Sequence, residues 1–225
     1  MENWKYWLAI SMVEGIGGVL TKYLFMRFTD AQDIFSAEGA DLAKVEGIGS
    51  KHIEAIKSFS DWQRVEQEIE KINKSGLGFI PLNDPKYPES LRQIYNPPPY
   101  LYVNGDILPT DSKSIAIVGT RMADRYGRLV AETLSGELAS RGITIVSGMA
   151  RGIDSIAQAE ALKRGGRTIA VSGCGVDMIY PPENKRLYDD IACSGAVVSE
   201  FLLGSPPIAG NFPRRNRIIS GISLE

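Results

Sequence analysis

Residues 212–223 read Phe-Pro-Arg-Arg-Asn-Arg-Ile-Ile-Ser-Gly-Ile-Ser, and Arg214, Arg215 and Arg217 fall within four positions. If the segment turns helical after Pro213, these cations crowd its first turn, where the helix dipole already places partial positive charge. A sequence that accepts this repulsion suits an anion at that point, and phosphate matches both a helix N-terminus and an arginine fork. A solvated basic loop that neutralises nearby carboxylates accounts for the same residues equally well. Three other stretches repeat the theme: Gly119-Thr120-Arg121, Ser147-Gly148-Met149-Ala150-Arg151-Gly152-Ile153-Asp154 and Gly173-Cys174-Gly175-Val176-Asp177. Glycines there let a backbone approach a phosphate closely, and Arg121 and Arg151 add charge.

Other chemistries lack their residues. Arg121 stands where a nicotinamide-binding turn needs its second glycine, and no acid follows the second apolar run to take a ribose hydroxyl. The Gly-Lys-Ser/Thr of a Walker A loop is absent. Ser147 and Ser172 have no histidine to activate them, and Asp154, opening a helix, reads as an N-cap. Cys174 reads as a small residue filling a tight loop. Cys174 and Cys193 are not spaced as a metal site or redox pair, and the single His52 completes no ligand set. His52 reads as a surface residue; no metal and no cofactor is expected.

The elements that must position these loops follow from periodicity. Ser114 to Gly119, Ile143 to Ser147, Thr168 to Ser172 and Ala196 to Ser199 are short apolar runs of the buried parallel-strand type. Between them Tyr126 to Ser140, Ile153 to Arg164 and Glu183 to Cys193 read as helices. This alternation predicts an α/β fold, a doubly wound parallel sheet with right-handed crossovers. Ligands of such sheets bind outside the carboxyl ends of the strands. The Gly- and Arg-bearing stretches are those exits, so their cations are expected to converge on one rim.

Residues 1–72 read as helical. They contain two Val-Glu-Gly-Ile-Gly pentapeptides, at 13–17 and 45–49, each resembling the turn of a helix–hairpin–helix unit. Such turns can hold a DNA phosphate, but Glu14 and Glu46 beside them favour a structural role. A charged helix from Asp61 to Lys74 leads out. Residues 75–111 are rich in Pro and Tyr, which excludes a long helix, and Tyr100 to Val103 reads as an edge strand. Residues 1–111 hold 11 Lys and Arg against 16 Asp and Glu, whereas residues 112–224 hold 14 against 10. A polyanion site therefore belongs in the back half. No apolar run approaches the roughly 20 residues of a membrane span, and no signal peptide is evident, so a cytoplasmic protein without membrane contact is expected.

Gly-Thr-Arg at 119–121, Ser-Gly-Met-Ala-Arg-Gly-Ile-Asp at 147–154, Gly-Cys-Gly-Val-Asp and Tyr-Pro-Pro-Glu-Asn-Lys-Arg-Leu within 173–187, Ser-Glu at 199–200 and the arginine segment together resemble the bacterial DNA-processing protein A family (DprA, also called Smf). The resemblance covers nearly the whole chain. It implies an extended Rossmann-like domain over 73–225, preceded by a small all-helical helix–hairpin–helix (SAM-like) domain over 1–72. It also implies a non-enzymatic protein that binds and protects incoming single-stranded DNA, displaces single-strand-binding protein and helps load RecA in natural transformation. Under the resemblance Arg121, with Gly119 and Thr120, contributes to the basic pocket for the DNA backbone. Ser147, Gly148, Arg151, Gly173, Gly175, Lys185, Arg214, Arg215, Asn216 and Arg217 match further pocket positions. A homodimer and RecA contacts in a later part of the domain are implied as well, and many members add a winged-helix domain. The chain stops inside an apparent helix and Leu224-Glu225 reads as an appended tail, so a further segment is expected.

The residues alone support anion binding. For single-stranded DNA, arginines hold the backbone and an aromatic ring stacks a base; Tyr180 and Phe212 are the candidates, and core packing explains either. A pocket taking about four phosphates gives a log–log salt slope near −3. The alternative is a Rossmann-like nucleotide-binding or nucleotide-hydrolysing protein, although the Pro-Gly-Gly-x-Gly-Thr loop of such hydrolases is absent. A protein-interaction scaffold with a fortuitous basic rim is the third reading.

Overall fold

Residues 4–224 are described by the computed structural model. The described residues open with six helices: α1 (Trp4–Met12), α2 (Gly18–Arg27), α3 (Ala31–Ser36), α4 (Gly39–Leu42), α5 (Ser50–Lys57) and α6 (Trp62–Ser75). Then come β1 (Gly78–Pro81), α7 (Glu89–Gln93), β2 (Tyr100–Gly105), β3 (Ser114–Ala116), α8 (Arg125–Ser140) and β4 (Thr144–Ser147). The chain continues through α9 (Ile153–Lys163), β5 (Thr168–Val171), α10 (Lys185–Ser194), β6 (Ala196–Ser199) and α11 (Asn211–Ile222).

One sheet runs in the order β1-β2-β6-β5-β4-β3. Strands β3 to β6 are parallel, and every residue of β4, β5 and β6 is buried, as a sheet covered on both faces requires. These four strands progress across the sheet in chain order, and the crossover helices α8, α9 and α10 pack side by side, as crossovers of one hand require. There Ile145 packs with Ala157 and Ala161, and Gln158 donates to the Thr168 hydroxyl and the Ile169 carbonyl, both at 3.1 Å. Val146, Ile169 and Val171 join Ile218, Ile219 and Ile222 of α11 in the principal core. Helices thus cover both faces, as a Rossmann-like fold demands.

The sheet is mixed, not wholly parallel: β2 runs antiparallel to β6, and β1 to β2. Tyr100–Gly105 is therefore an interior strand, and β1 takes the edge expected for it. The prolines between residues 81 and 99 preclude the long crossover helix that a parallel connection needs. The last helix closes at Ile222, before the chain does, and the Leu224 amide donates to the Ser114 carbonyl at 2.9 Å. Glu225 lies outside the described residues. Among the described residues no helix is long and apolar enough to cross a membrane.

In the helical part, Gly15 and Gly47 hold φ of +80° and +78°, turns that an L side chain resists. The two hairpins pack reciprocally: the α-carbon face of Gly15 meets the His52 ring of α5, and that of Gly47 meets Leu20 of α2. Val13, Ile16, Val45 and Ile48 from the two copies share one core with Ile10, Leu24 and Ile56. Trp7 and Leu8 of α1 and Val65 and Ile72 of α6 instead enter the core of the sheet. Buried Glu68 accepts from the Tyr102 hydroxyl at 2.8 Å and from the Leu203 amide at 2.7 Å, tying α6 to β2 and to the segment after β6.

At the opposite end of the sheet, buried Asp111 clamps the strand starts. It takes two hydrogen bonds from Arg167 at 2.9 Å, one from Thr144 at 2.7 Å and one from the Leu108 amide at 2.8 Å. Burial pushes its carboxyl up, but the Arg167 guanidinium and the other donors outweigh that and hold it below the usual aspartate value. The native carboxyl therefore binds its proton less readily than the unfolded one. Its stabilisation is full above the unfolded value of about 4 and fades as pH falls through the depressed native value. Urea midpoints measured from about pH 6 down to about pH 2.5 will fall steeply in the wild type. Asp111→Asn will start lower and show a flatter acid limb.

Candidate nucleic-acid interface

The strand exits are joined beneath the rim through one residue, Gly148. The Gly148 amide donates to Asp154 at 3.1 Å, and the Gly148 carbonyl accepts from Arg215 at 2.9 Å. The other Asp154 oxygen accepts from the Gly119 amide at 3.3 Å, and Arg215 also donates to the Val171 carbonyl. The exits of β3, β4 and β5 are thereby connected through two buried charged side chains. Burial pushes the Asp154 carboxyl up and the Arg215 guanidinium down, while the attraction between the two charges opposes both shifts. Gly148 has no room for a side chain: a Cβ there would lie 2.5 Å from an Arg215 nitrogen. Asp154 is thus a brace between loops, not the expected N-cap, because Gly152 caps α9 and Asp154 is its second residue.

Above this floor lies an open cleft of about 760 Å³, lined among others by Gly119, Arg121, Tyr180, Phe212 and Asn216. Half-buried Phe212 rests on Gly173, and its ring centre is 5.5 Å from that of Tyr180. The guanidinium of exposed Arg121 sits 5.7 Å from the centre of the same ring, and that of buried Arg215 sits 5.9 Å from it. Arg121 makes no side-chain hydrogen bond and meets no carboxylate among the described residues. The cleft thus combines an apolar ring, a second aromatic and a cation open to solvent. That combination suits a base or sugar over the ring and a phosphate on the arginine.

The structure divides the expected site residues. Gly119, Arg121, Arg215 and Asn216 line the cleft, and Gly148, Arg151 and Gly173 line a small recess contiguous with it at Arg121. Thr120 is exposed beside them, its hydroxyl accepting from the Met122 amide at 3.2 Å. Arg151 is paired with Glu183. Ser147 is buried and donates to the Ile117 carbonyl at 2.6 Å. Gly175 packs against Asp177 and Leu202. Lys185 lies at the start of α10, bound to Asp189 at 2.7 Å and outside the cleft.

The arginine segment needs the largest correction. Helix α11 begins at Asn211, two residues before Pro213, so Arg214, Arg215 and Arg217 are its fourth, fifth and seventh residues and do not crowd an N-terminus. A turn of about 3.6 residues sends them in different directions. Arg215 is the buried brace. Arg217 grips Glu200 with two hydrogen bonds of 2.6 Å and donates to the Asn96 carbonyl at 2.8 Å. Exposed Arg214 lies 5.5 Å over the Phe201 ring, on the other side of Pro213. Nothing in the sequence pattern marks Phe201 or the loop residues Pro207 and Ala209, because the segment after β6 carries no periodicity.

Comparison with known proteins identifies the group to which the chain is similar. The family model for DNA recombination-mediator protein A matches residues 78–225. Protein Smf of Synechocystis is 42% identical over 222 residues, covering 97% of this chain and 56% of the relative. DNA processing protein DprA of Bacillus subtilis is 42% identical over 151 residues, covering 67% of this chain and 51% of the relative. This chain therefore spans about half the length of these relatives. The crystal structure of DprA from Streptococcus pneumoniae superposes with a TM-score of 0.76 at 31% identity, covering 97% of this chain and 75% of that one. A structure of Helicobacter pylori DprA, described for its single-stranded DNA binding mode, matches with a TM-score of 0.59 at 36% identity, covering 65% of this chain and 66% of that one. The Gly- and Arg-bearing strand exits thus belong to a member of the DNA recombination-mediator protein A family, also known as DprA or Smf.

Proposed function

We propose that the chain binds single-stranded DNA in the cleft over β3, β4 and β5, as a DNA-processing protein acting in recombination. The observation that carries this reading is the Phe212 ring, held at the strand exits with the exposed, unpaired Arg121 guanidinium 5.7 Å from its centre. The Helicobacter relative described as binding single-stranded DNA supports the choice of ligand. Protection of an incoming strand, delivery to RecA with displacement of single-strand-binding protein, homodimer formation and a cytoplasmic setting extend the proposal on the family resemblance. The division into a helical part over 1–72 and a sheet-bearing part over 73–225 is part of the same reading.

A binder is favoured over a nucleotide hydrolase by what the reactive groups touch. The Ser147 hydroxyl is bound to a carbonyl, and Asp154 is engaged by two amides. The Cys174 thiol is buried, which pushes it up, and it donates to the Met178 carbonyl at 3.3 Å.

Arg121→Ala will weaken binding of a labelled oligo-dT by roughly ten- to hundredfold, the about 1.5–3 kcal/mol of a charged hydrogen bond. Fluorescence anisotropy across a salt series will show a log–log slope shallower by about 0.7. Being exposed, Arg121 will leave the melting curve unchanged. Unchanged affinity, or affinity independent of salt, would overturn the cleft as the site. Gly148→Ala will behave differently, because its methyl displaces the Arg215 guanidinium. It will cost about 1–3 kcal/mol in urea unfolding and reduce DNA affinity together with stability.

A further inference from the structure

The rim of the sheet carries a second concavity. A groove of about 680 Å³ lies between the helical part and the β6–β2 end of the sheet, lined by residues of α1, α2 and α6 on one side and by Glu200, Phe201 and Arg214 on the other. Pro213 lines both the cleft and this groove, so the two meet at the first turn of α11. They also share the same end of the sheet: the β6 exit at Ser199 pairs with Tyr102 near the start of antiparallel β2.

Like the first cleft, the groove carries an excess of positive charge and a half-buried phenylalanine ring. Arg64, Glu200, Arg214 and Arg217 are the charged residues lining the groove. Arg217 and Glu200 neutralise each other in their two-pronged pair, which leaves two cations. Arg64 is 59% exposed and has Asp61 at 3.9 Å as its carboxylate neighbour. Arg214 is exposed, with its guanidinium over the half-buried Phe201 ring and no carboxylate partner among the described residues. In the first cleft Asp154 and Arg215 offset each other, leaving Arg121. A ring beneath an open arginine therefore occurs twice, beside neighbouring strands: Phe212 rests on Gly173 after β5, and Phe201 follows β6. Adjacent strands lie about 4.8 Å apart.

We propose that this groove is a second nucleic-acid subsite, which takes the continuing backbone of a single strand whose first bases lie at Phe212. Phe201 stacks a base, and Arg214 and Arg64 hold phosphates. Sequence-tolerant single-strand sites are built from such stacking platforms joined by a cationic track. The inference rests on the reading of the Arg121 cleft as a single-stranded DNA site.

The test uses the chain with oligo-dT of about five and about twelve nucleotides, within the span of known single-strand sites, and the Arg64→Ala/Arg214→Ala double variant. The double variant is expected to bind the long strand about tenfold more weakly, with a salt slope shallower by about 1.4. It should bind the short strand as the wild type does. 4-Thiothymidine placed at one end of the long strand should cross-link to peptides carrying Phe201 or Arg64. Unchanged long-strand affinity, or cross-links confined to peptides of Tyr180 and Phe212, would overturn the subsite while leaving the cleft intact. An equal loss on both lengths would assign Arg214 to the first site and overturn the division. If Arg121→Ala changes neither length while the double variant weakens the long strand, the cleft reading fails, and the groove's role as the continuation of that site fails with it. Failure of both oligonucleotides to bind would overturn both. Arg64 and Arg214 are exposed, so melting curves of the double variant will match the wild type and exclude unfolding as the cause.

Discussion

A single glycine residue sets the geometry of the rim. Gly148 donates its N–H to Asp154 and accepts from Arg215 at its C=O, while those side chains reach on to Gly119 and Val171. Buried charges are costly unless hydrogen bonds and opposite charge compensate them. Here the compensation comes from backbone groups at three strand ends, so the loops cannot drift without unpairing a charge. Arg215 is also what makes Gly148 obligatory, since the guanidinium fills the space of a side chain. The Phe212 ring, and through it the placement of Arg121, rests on this floor.

The parallel half of the sheet is legible in the sequence because its strands are short runs buried on both faces. Ala196–Ser199 emerges with the expected bounds, and β4 and β5 differ by one residue. The antiparallel half is harder to read, since Pro81 to Pro99 breaks every periodicity and pairing partners lie far along the chain. The glycine-rich exits are visible for the same reason as the strands: their position in the alternation identifies them. The roles of the arginines are not visible. Arg215 binds carbonyls 67 and 44 residues away, and Arg217 binds Asn96, 121 residues away. Local spacing shows three cations together, whereas the fold uses two of them as internal braces and leaves Arg214 to solvent.

The helical part does more than precede the sheet. Its α1 and α6 contribute to the principal core, and Glu68 anchors both Tyr102 and the segment after β6. Arg217 adds a third tie, from α11 to Glu200 and to the proline-rich segment at Asn96. The walls of the second groove are consequently fixed by buried and half-buried polar contacts, which preorganise its shape.

The two helical hairpins bear on how a short chain finds a core. Each turn glycine touches the helix that follows the other turn, the reciprocity of an isologous dimer contact, here between two halves of one polypeptide. A homodimer must find its partner at a concentration set by the cell. Copies joined by a tether meet at a local concentration set by the tether. Covalent linkage also frees the halves from identity: an imidazole lies against one turn and a leucine against the other. The repeated pattern thus shows dimer-like packing without symmetry in its side chains, and its closure does not depend on protein concentration.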